Sequence, residues 1–81
     1  MTRLLHEVRA ARRLPPPSMA AAIRRAAGVS QARLAAELGV DRVTVARWER
    51  AGASWSRTPR GELRRRYAEL LAELEREVMG R

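Results

Sequence analysis

Four amino acids are missing from the chain: its 81 residues include no cysteine, no lysine, no phenylalanine and no asparagine. Without cysteine there is no disulfide framework and no thiolate metal site, and the single histidine cannot hold a zinc ion alone. No apolar run approaches the roughly 20 residues that a membrane-spanning helix needs. Charged residues interrupt the N-terminal apolar positions, which is not the pattern of a signal peptide. We therefore expect a cytoplasmic protein with no metal ion, no cofactor and no membrane partner.

Negative charge is also scarce. The chain has 9 acidic residues against 17 basic ones, all of them arginine, and its formal net charge is +8. A domain this basic favours a polyanionic partner, and nucleic acid is the first candidate. The planar guanidinium of arginine can hold a phosphate or a guanine edge with two hydrogen bonds. A membrane-surface role is less favoured, because it uses bulky aromatic side chains on an apolar face.

The length sets further limits. A chain of 81 residues predicts one domain, and a chain of this size buries only about 60–65% of its unfolded surface. Dimerisation would therefore add useful stability. The sequence shows no carboxylate pair, nucleophile with a base, metal cluster or glycine-rich phosphate loop, so we expect that the protein is not an enzyme.

The N-terminal residues divide into two segments before the main domain. Residues 1–14 are interpreted as an N-terminal helical extension, because apolar residues recur at helical spacing, at Leu4, Leu5, Val8 and Ala11. Residues 15–18 form a proline-rich joint, because a residue before proline is pushed out of the α region. Residues 19–79 are predicted to be the main domain.

The first helix of that domain is predicted between about Met19 and Ala27. Ser18 is its expected N-cap, since a serine hydroxyl accepts a bond from a free N–H of the first turn. Gly28 is expected to close it in the left-handed conformation. The residues expected on its inner face are Met19 or Ala22, Ile23 and Ala26.

Two shorter helices are predicted next. One runs over residues 31–38 with Ser30 as its N-cap, and Gly39 supplies the positive φ that ends it. The other runs over about 42–50 with Asp41 as its N-cap, where a carboxylate suits the positive end of the helix dipole. The glycine between them indicates a tight turn.

The last predicted helix is the longest. It follows a loop after Gly52, with Thr58 as its N-cap and Pro59 as its first residue, an arrangement typical of helix entry. It continues to about Met79, and its apolar residues form one stripe at Leu63, Tyr67, Leu70, Leu71, Leu74 and Val78. No segment has the extended alternating pattern of a β-strand, so the chain is predicted to be all-α.

The segment from Gln31 to Arg50 has the steric pattern of a helix-turn-helix, in which one helix enters the DNA major groove. The fifth position lies where the two helices cross and must be small; it is Ala35. The ninth position makes a turn with positive φ and is Gly39. The other packing positions are apolar, at Leu34, Leu38, Val40, Val45 and Trp48. Joint agreement at all these positions is far more specific than any single match.

This segment resembles the Cro/C1-type (XRE) helix-turn-helix family. Four elements of the family pattern are present: Ser30-Gln31, Leu34-Ala35, Leu38-Gly39-Val40 and Trp48-Glu49. The lead from Thr58 into the last helix is also similar to the family, so the resemblance covers roughly residues 19–74. It implies a lambda-repressor-like helix-turn-helix bundle, to which this chain adds an extra N-terminal helix and a long C-terminal helix.

The resemblance also implies roles for individual side chains. The residues that match base-contacting positions are Arg42, Val43 and Arg47. Those that match positions near the DNA backbone are Gln31, Arg33, Thr44 and Arg50, and Gln31 is also expected to brace the recognition helix. Because arginine prefers guanine and valine can pack on a thymine methyl group, we expect at least one G·C pair in each half-site.

Some of these features have plainer interpretations. The two arginines assigned to bases could be ordinary solvated helix residues. Arg64-Arg65-Arg66 is either a phosphate clamp or a solvated face that pairs with Glu62 and Glu69. For Trp55 in the loop, burial, a dimer contact and a DNA contact all stay open.

The sequence therefore predicts a sequence-specific transcriptional regulator that binds double-stranded DNA. We expect a homodimeric repressor on an inverted repeat, because two recognition helices about 34 Å apart supply specificity that one lacks. One alternative is a MerR-like or excisionase-like DNA-bending protein, which the segments 48–52 and 57–59 also resemble. Another is an antitoxin-type interaction module whose N-terminal helix binds a protein partner.

Overall fold

Four α-helices make up the part of the chain that the computed structural model describes, residues 14–50 and 59–80. Helix α1 is Pro17–Ala26, α2 is Gln31–Leu38, α3 is Arg42–Glu49 and α4 is Gly61–Met79. These ranges contain no β-strand, and the all-α prediction is confirmed. None of their helices has the length and apolar character needed to cross a membrane. The predicted N-terminal helix, Gly52, Trp55 and Thr58 lie outside the described residues.

Helix α1 begins earlier than the sequence predicts. Its first residue is Pro17 and its N-cap is Pro16, with no side-chain capping bond, so the prediction of Ser18 as the N-cap is wrong. Proline suits the first position of a helix, because the N–H that it lacks would have no intrahelical partner there. The three prolines therefore do not all precede the helix: the last of them opens it and is buried.

The buried face of α1 also differs from the prediction. Ile23 is half-buried and packs against the core, whereas the other residues expected to face inward are exposed, namely Met19, Ala22 and Ala26. The residues that α1 does bury are Pro17, Ala20, Ala21 and Arg24. Alanine occurs on several sides of this helix and gives no clear apolar phase. A pattern of apolar residues cannot indicate a buried arginine, which needs a partner from another element.

The turns around α2 agree with the sequence. The hydroxyl of Ser30 accepts a hydrogen bond of 3.0 Å from the backbone N–H of Arg33, which confirms this N-cap. Gly39 ends α2 with a φ of 73°, in the left-handed region that glycine adopts at least cost. Asp41 is the N-cap residue of α3 as predicted, although its side chain makes no capping hydrogen bond.

Helix α4 begins at Gly61 with Arg60 as its N-cap, so the prediction that Pro59 is its first residue is wrong. Pro59 is buried just ahead of the helix. The fixed φ of proline suits an extended approach to a helix as well as its first turn, so this residue does not determine the start. The residues of the apolar stripe on α4 are buried to different degrees. Tyr67 and Leu71 are buried, and the half-buried members are Leu63, Leu70, Leu74 and Val78.

The core lies where the four helices meet, since α1 and α2 each pack against both α3 and α4. At its centre the ring of Trp48 stacks in a tilted arrangement on Tyr67, with 4.9 Å between the ring centroids. The prediction that Trp48 is a core residue is thereby confirmed. Leu14 also belongs to the core, although the sequence places it in the N-terminal extension. The other buried members are Ala20, Leu34, Ala35, Leu38, Val45, Ala68 and Leu71.

Candidate nucleic-acid interface

Helix α3 presents a buried side and an exposed side. Val45 and Trp48 face the core and anchor the helix. On the other side Arg42 and Arg47 are exposed, and Val43 between them is 52% exposed. An apolar residue between two cations, held on a helix that the core fixes, can pack against a base while the cations bind its neighbours.

A groove of about 480 Å³ runs between α1 and the exposed side of α3. Its lining residues are Ala21, Arg25, Gln31, Arg42, Val43, Ala46, Glu49 and Arg50. Two of the three residues predicted to contact bases, Arg42 and Val43, therefore share this groove. Arg47 is not among them, because it lies about 140° around the helix from Arg42. The third predicted base contact thus projects from a different edge of the same helix.

A buried ion pair fixes the C-terminal end of α3. The Nε of Arg24 donates to one carboxylate oxygen of Glu49 at 2.7 Å, and its Nη2 donates to the other at 3.0 Å. The two side chains are only 9% and 5% exposed. Arg24 also donates to the carbonyl oxygen of Val29 at 2.8 Å. The guanidinium therefore ties α1, the turn before α2 and the end of α3 together.

Gln31 connects that ion pair to the exposed side of α3. Its Nε2 donates to Oε1 of Glu49 at 2.9 Å. Its Oε1 accepts from Nη1 of Arg42 at 3.3 Å. One amide at the start of α2 thus holds both ends of α3, and because its amino group faces the carboxylate, its carbonyl must face Arg42. The bracing role expected for Gln31 is present in this geometry, while its contact with DNA stays a prediction.

The same contacts shift the pKa values of Glu49 and Arg24. Burial alone would raise the pKa of Glu49, but the hydrogen bonds from Arg24 and Gln31 and the nearby positive charge outweigh it and hold that pKa below its ordinary value. The hydrogen bond to Glu49 raises the pKa of Arg24 despite the opposing effect of burial. Both groups therefore stay charged at neutral pH, and the carboxylate has its oxygens engaged from within the protein.

The remaining predicted backbone contacts are distributed around this groove. Arg50 lines it and donates weakly to the carbonyl of Ala46 at 3.4 Å. Thr44 is half-buried on α3. Arg33 stands exposed on α2 and pairs with Glu37 at 3.1 Å. The structure therefore brings Gln31 and Arg50 to the groove with Arg42 and Val43, and it leaves Arg33 outside.

The triple arginine of α4 is engaged within the protein. Arg65 pairs with Glu62 at 2.7 Å, as the solvated-face interpretation predicts. Arg66 donates to the carbonyl oxygen of Glu37 at 3.1 Å and so links α4 to the end of α2.

In the described residues no group of histidine or acidic side chains could hold a metal ion.

Sequence reasoning missed two residues that organise this interface. Arg24 was not singled out because an arginine on an alanine-rich helix looks solvated. Glu49 was noted only as part of a family pattern, and its partner stands 25 positions away in the chain. The one available signal was the position of Glu49 directly after the buried Trp48, which places its carboxylate beside the core.

Residues 21–73 match the model of the helix-turn-helix family HTH_3. The match covers more than half of the chain, and the chain belongs to this family, which is the Cro/C1-type (XRE) family that the sequence resembles. The fold is accordingly lambda-repressor-like. No curated protein and no solved structure shows significant similarity to the chain.

Membership of the family defines the class of protein. It is a DNA-binding protein of a kind that typically regulates transcription, and the family is not one of enzymes. Membership also favours the Cro/C1 type over the MerR-like and excisionase-like alternative.

Proposed function

We propose that the protein is a homodimeric transcriptional repressor that reads an inverted repeat through the major groove. The observation that carries the proposal is the exposed edge of α3, where Arg42 and Val43 lie side by side and Gln31 fixes the guanidinium of Arg42 from behind. A side chain held in this way loses less conformational freedom when it binds. Preorganised side chains of this kind suit sequence-specific recognition of DNA rather than non-specific binding.

Each part of the edge has a chemical role in the proposal. Arg42 donates two hydrogen bonds to the O6 and N7 of a guanine, and Val43 packs on a thymine methyl group. Arg47 reaches a base from the other edge of α3. Contacts to phosphates fix the position of the helix in the groove without reading sequence. They are assigned to Gln31, Arg33, Thr44 and Arg50.

The dimer follows from the limited reach of one helix. A single recognition helix contacts only a few base pairs, while two of them about 34 Å apart on a palindrome give usable specificity. The second half of α4 leaves apolar side chains half-buried at Leu70, Leu74 and Val78, and a second copy of the chain would cover them. Repression would then occur by occupation of a promoter. The alternative that residues 1–14 bind a protein partner is tested by deletion of residues 1–13, which keeps the buried Leu14 in the core.

Selection of bound duplexes from a random pool, at a stated salt concentration, tests the proposal. We expect an inverted repeat with G·C at fixed positions of each half-site. Arg42→Ala should weaken binding to the selected duplex by about 1–3 kcal/mol and relax the preference at one position of each half-site. Arg76→Ala is the matched control, since Arg76 is exposed near the far end of α4. A pool that shows no preference after selection would refute sequence-specific recognition.

A further inference from the structure

Arg25 lies on α1, outside the helix-turn-helix segment, yet its side chain lines the groove beside α3. It is exposed, and within residues 14–50 and 59–80 its guanidinium makes no hydrogen bond or ion pair with another group. Its neighbour Arg24 points the other way and is buried on Glu49. The first helix therefore directs one arginine into the protein and the next into the groove.

The groove carries more positive charge than its lining suggests. Three arginines line it, namely Arg25, Arg42 and Arg50. The one lining carboxylate, that of Glu49, is 5% exposed and has both oxygens occupied by Arg24 and Gln31. It therefore mainly offsets the charge of the buried Arg24, with a weaker electrostatic interaction with Arg25. Arg42 bonds the neutral amide of Gln31, and Arg50 bonds a backbone carbonyl, so neither loses its charge to a partner.

We propose that this groove binds one phosphate of the DNA backbone and that Arg25 is the residue of α1 that holds it. The inference rests on the proposed insertion of α3 into the major groove. Arg42 and Val43 form one wall of the groove, so a DNA strand that borders the major groove passes along the opposite wall, which is α1. A guanidinium binds a phosphate through two parallel hydrogen bonds. Such a contact would fix the register of Arg42 over its base.

Salt-dependent binding distinguishes this role from others. The probe is a short mixed-sequence DNA duplex, measured by fluorescence anisotropy between about 50 and about 200 mM salt. Arg25→Ala should weaken binding about 5- to 10-fold and reduce the slope of log affinity against log salt by about 0.9, the release expected for one phosphate contact. Arg25→Lys should retain the slope, because a phosphate contact needs a cation more than a fork. The loss should be equal on the duplex selected for the proposed function.

The control is Arg76→Ala, which removes the same charge from an exposed helical position at the far end of α4. It should change affinity less than about twofold and leave the slope unaltered. An unaltered slope for Arg25→Ala, or a loss confined to the selected duplex, would overturn the phosphate site while leaving the proposed function intact. If the unaltered protein showed no salt-dependent binding at all, the proposed function would fail as well. Circular dichroism of each variant confirms that the helices are retained.

Discussion

Two arginine–glutamate pairs in this small domain have the same chemistry and opposite surroundings. The pair of Arg24 and Glu49 is 9% and 5% exposed and joins α1 to the end of α3. The pair of Arg33 and Glu37 is 66% and 55% exposed and spans one turn of α2. Water competes with the exposed pair and screens it, so it contributes little. In the buried pair each ion depends on the other, because neither can return to water without disrupting the packing.

We expect the difference in burial to decide what each ion pair contributes to the domain. The exposed pair at 3.1 Å modestly supports a helix that its cap and its apolar face already specify. The buried pair at 2.7 Å fixes how the recognition helix lies against α1 and, through Gln31, where Arg42 points. A structural interaction and the side chain proposed to read DNA are therefore joined by a single amide.

Removal of the glutamate from each pair should give the largest difference in the free energy of unfolding. Glu49→Ala leaves Arg24 buried without its counter-ion, and we expect a loss of about 3–5 kcal/mol in the free energy of unfolding. Glu37→Ala should cost about 0.2–1 kcal/mol. Urea denaturation followed by circular dichroism measures both.

A loss of that size is a large part of the stability of a domain this short. Glu49→Gln is therefore a useful second variant, because it keeps the shape of the side chain and removes the charge. Equal effects at positions 49 and 37 would show that burial does not separate the two pairs.

Acid should also weaken the buried pair, with a smaller effect on the stability of the fold. The pKa of Glu49 is lowered in the folded protein, so its contribution is fully present above the ordinary glutamate value of about 4.3 and is lost as the pH falls through the lowered value. Unfolding midpoints measured from neutral pH down to about pH 3 should decline in the unaltered protein. The decline should be shallower in Glu49→Gln, which has no carboxylate to protonate at that position.

Replacement of both buried partners should change stability less than removal of Glu49 alone. Arg24→Met with Glu49→Leu removes both charges together, and such exchanges are often neutral or stabilising. We expect the free energy of unfolding to stay within about 2 kcal/mol of the original. Affinity for the selected duplex should nevertheless fall, because Gln31 loses the acceptor that orients it. Affinity equal to that of the unaltered protein would show that Gln31 positions Arg42 without Glu49.

The parts of the fold that the sequence predicted are those with local steric requirements. Gly39 is required by a positive φ, Ala35 by a helix crossing, and Val45 and Trp48 by the buried side of a short helix. Each of these requirements can be recognised within a window of a few residues. The helix-turn-helix was therefore predictable almost to the residue.

The parts that the sequence did not predict depend on distant partners or on ambiguous residues. The burial of Arg24 is intelligible only with Glu49, which is 25 positions away. The inner face of α1 was assigned wrongly because its alanines are compatible with several orientations. Proline at positions 17 and 59 is compatible with either side of a helix start, and the structure uses Pro17 inside a helix and Pro59 outside one.

The fixed amide of Gln31 limits how this protein could be retargeted to other DNA sequences. Since Glu49 engages the amino group, only the carbonyl oxygen is offered to position 42. Under the proposed recognition, a long donor there, such as arginine or lysine, is held in place while it reads guanine. A glutamate, which would read cytosine, meets an oxygen instead and is repelled. On this proposal, natural variants and designed ones should keep a long donor at this position, and should acquire a cytosine-reading glutamate only together with a change at position 31.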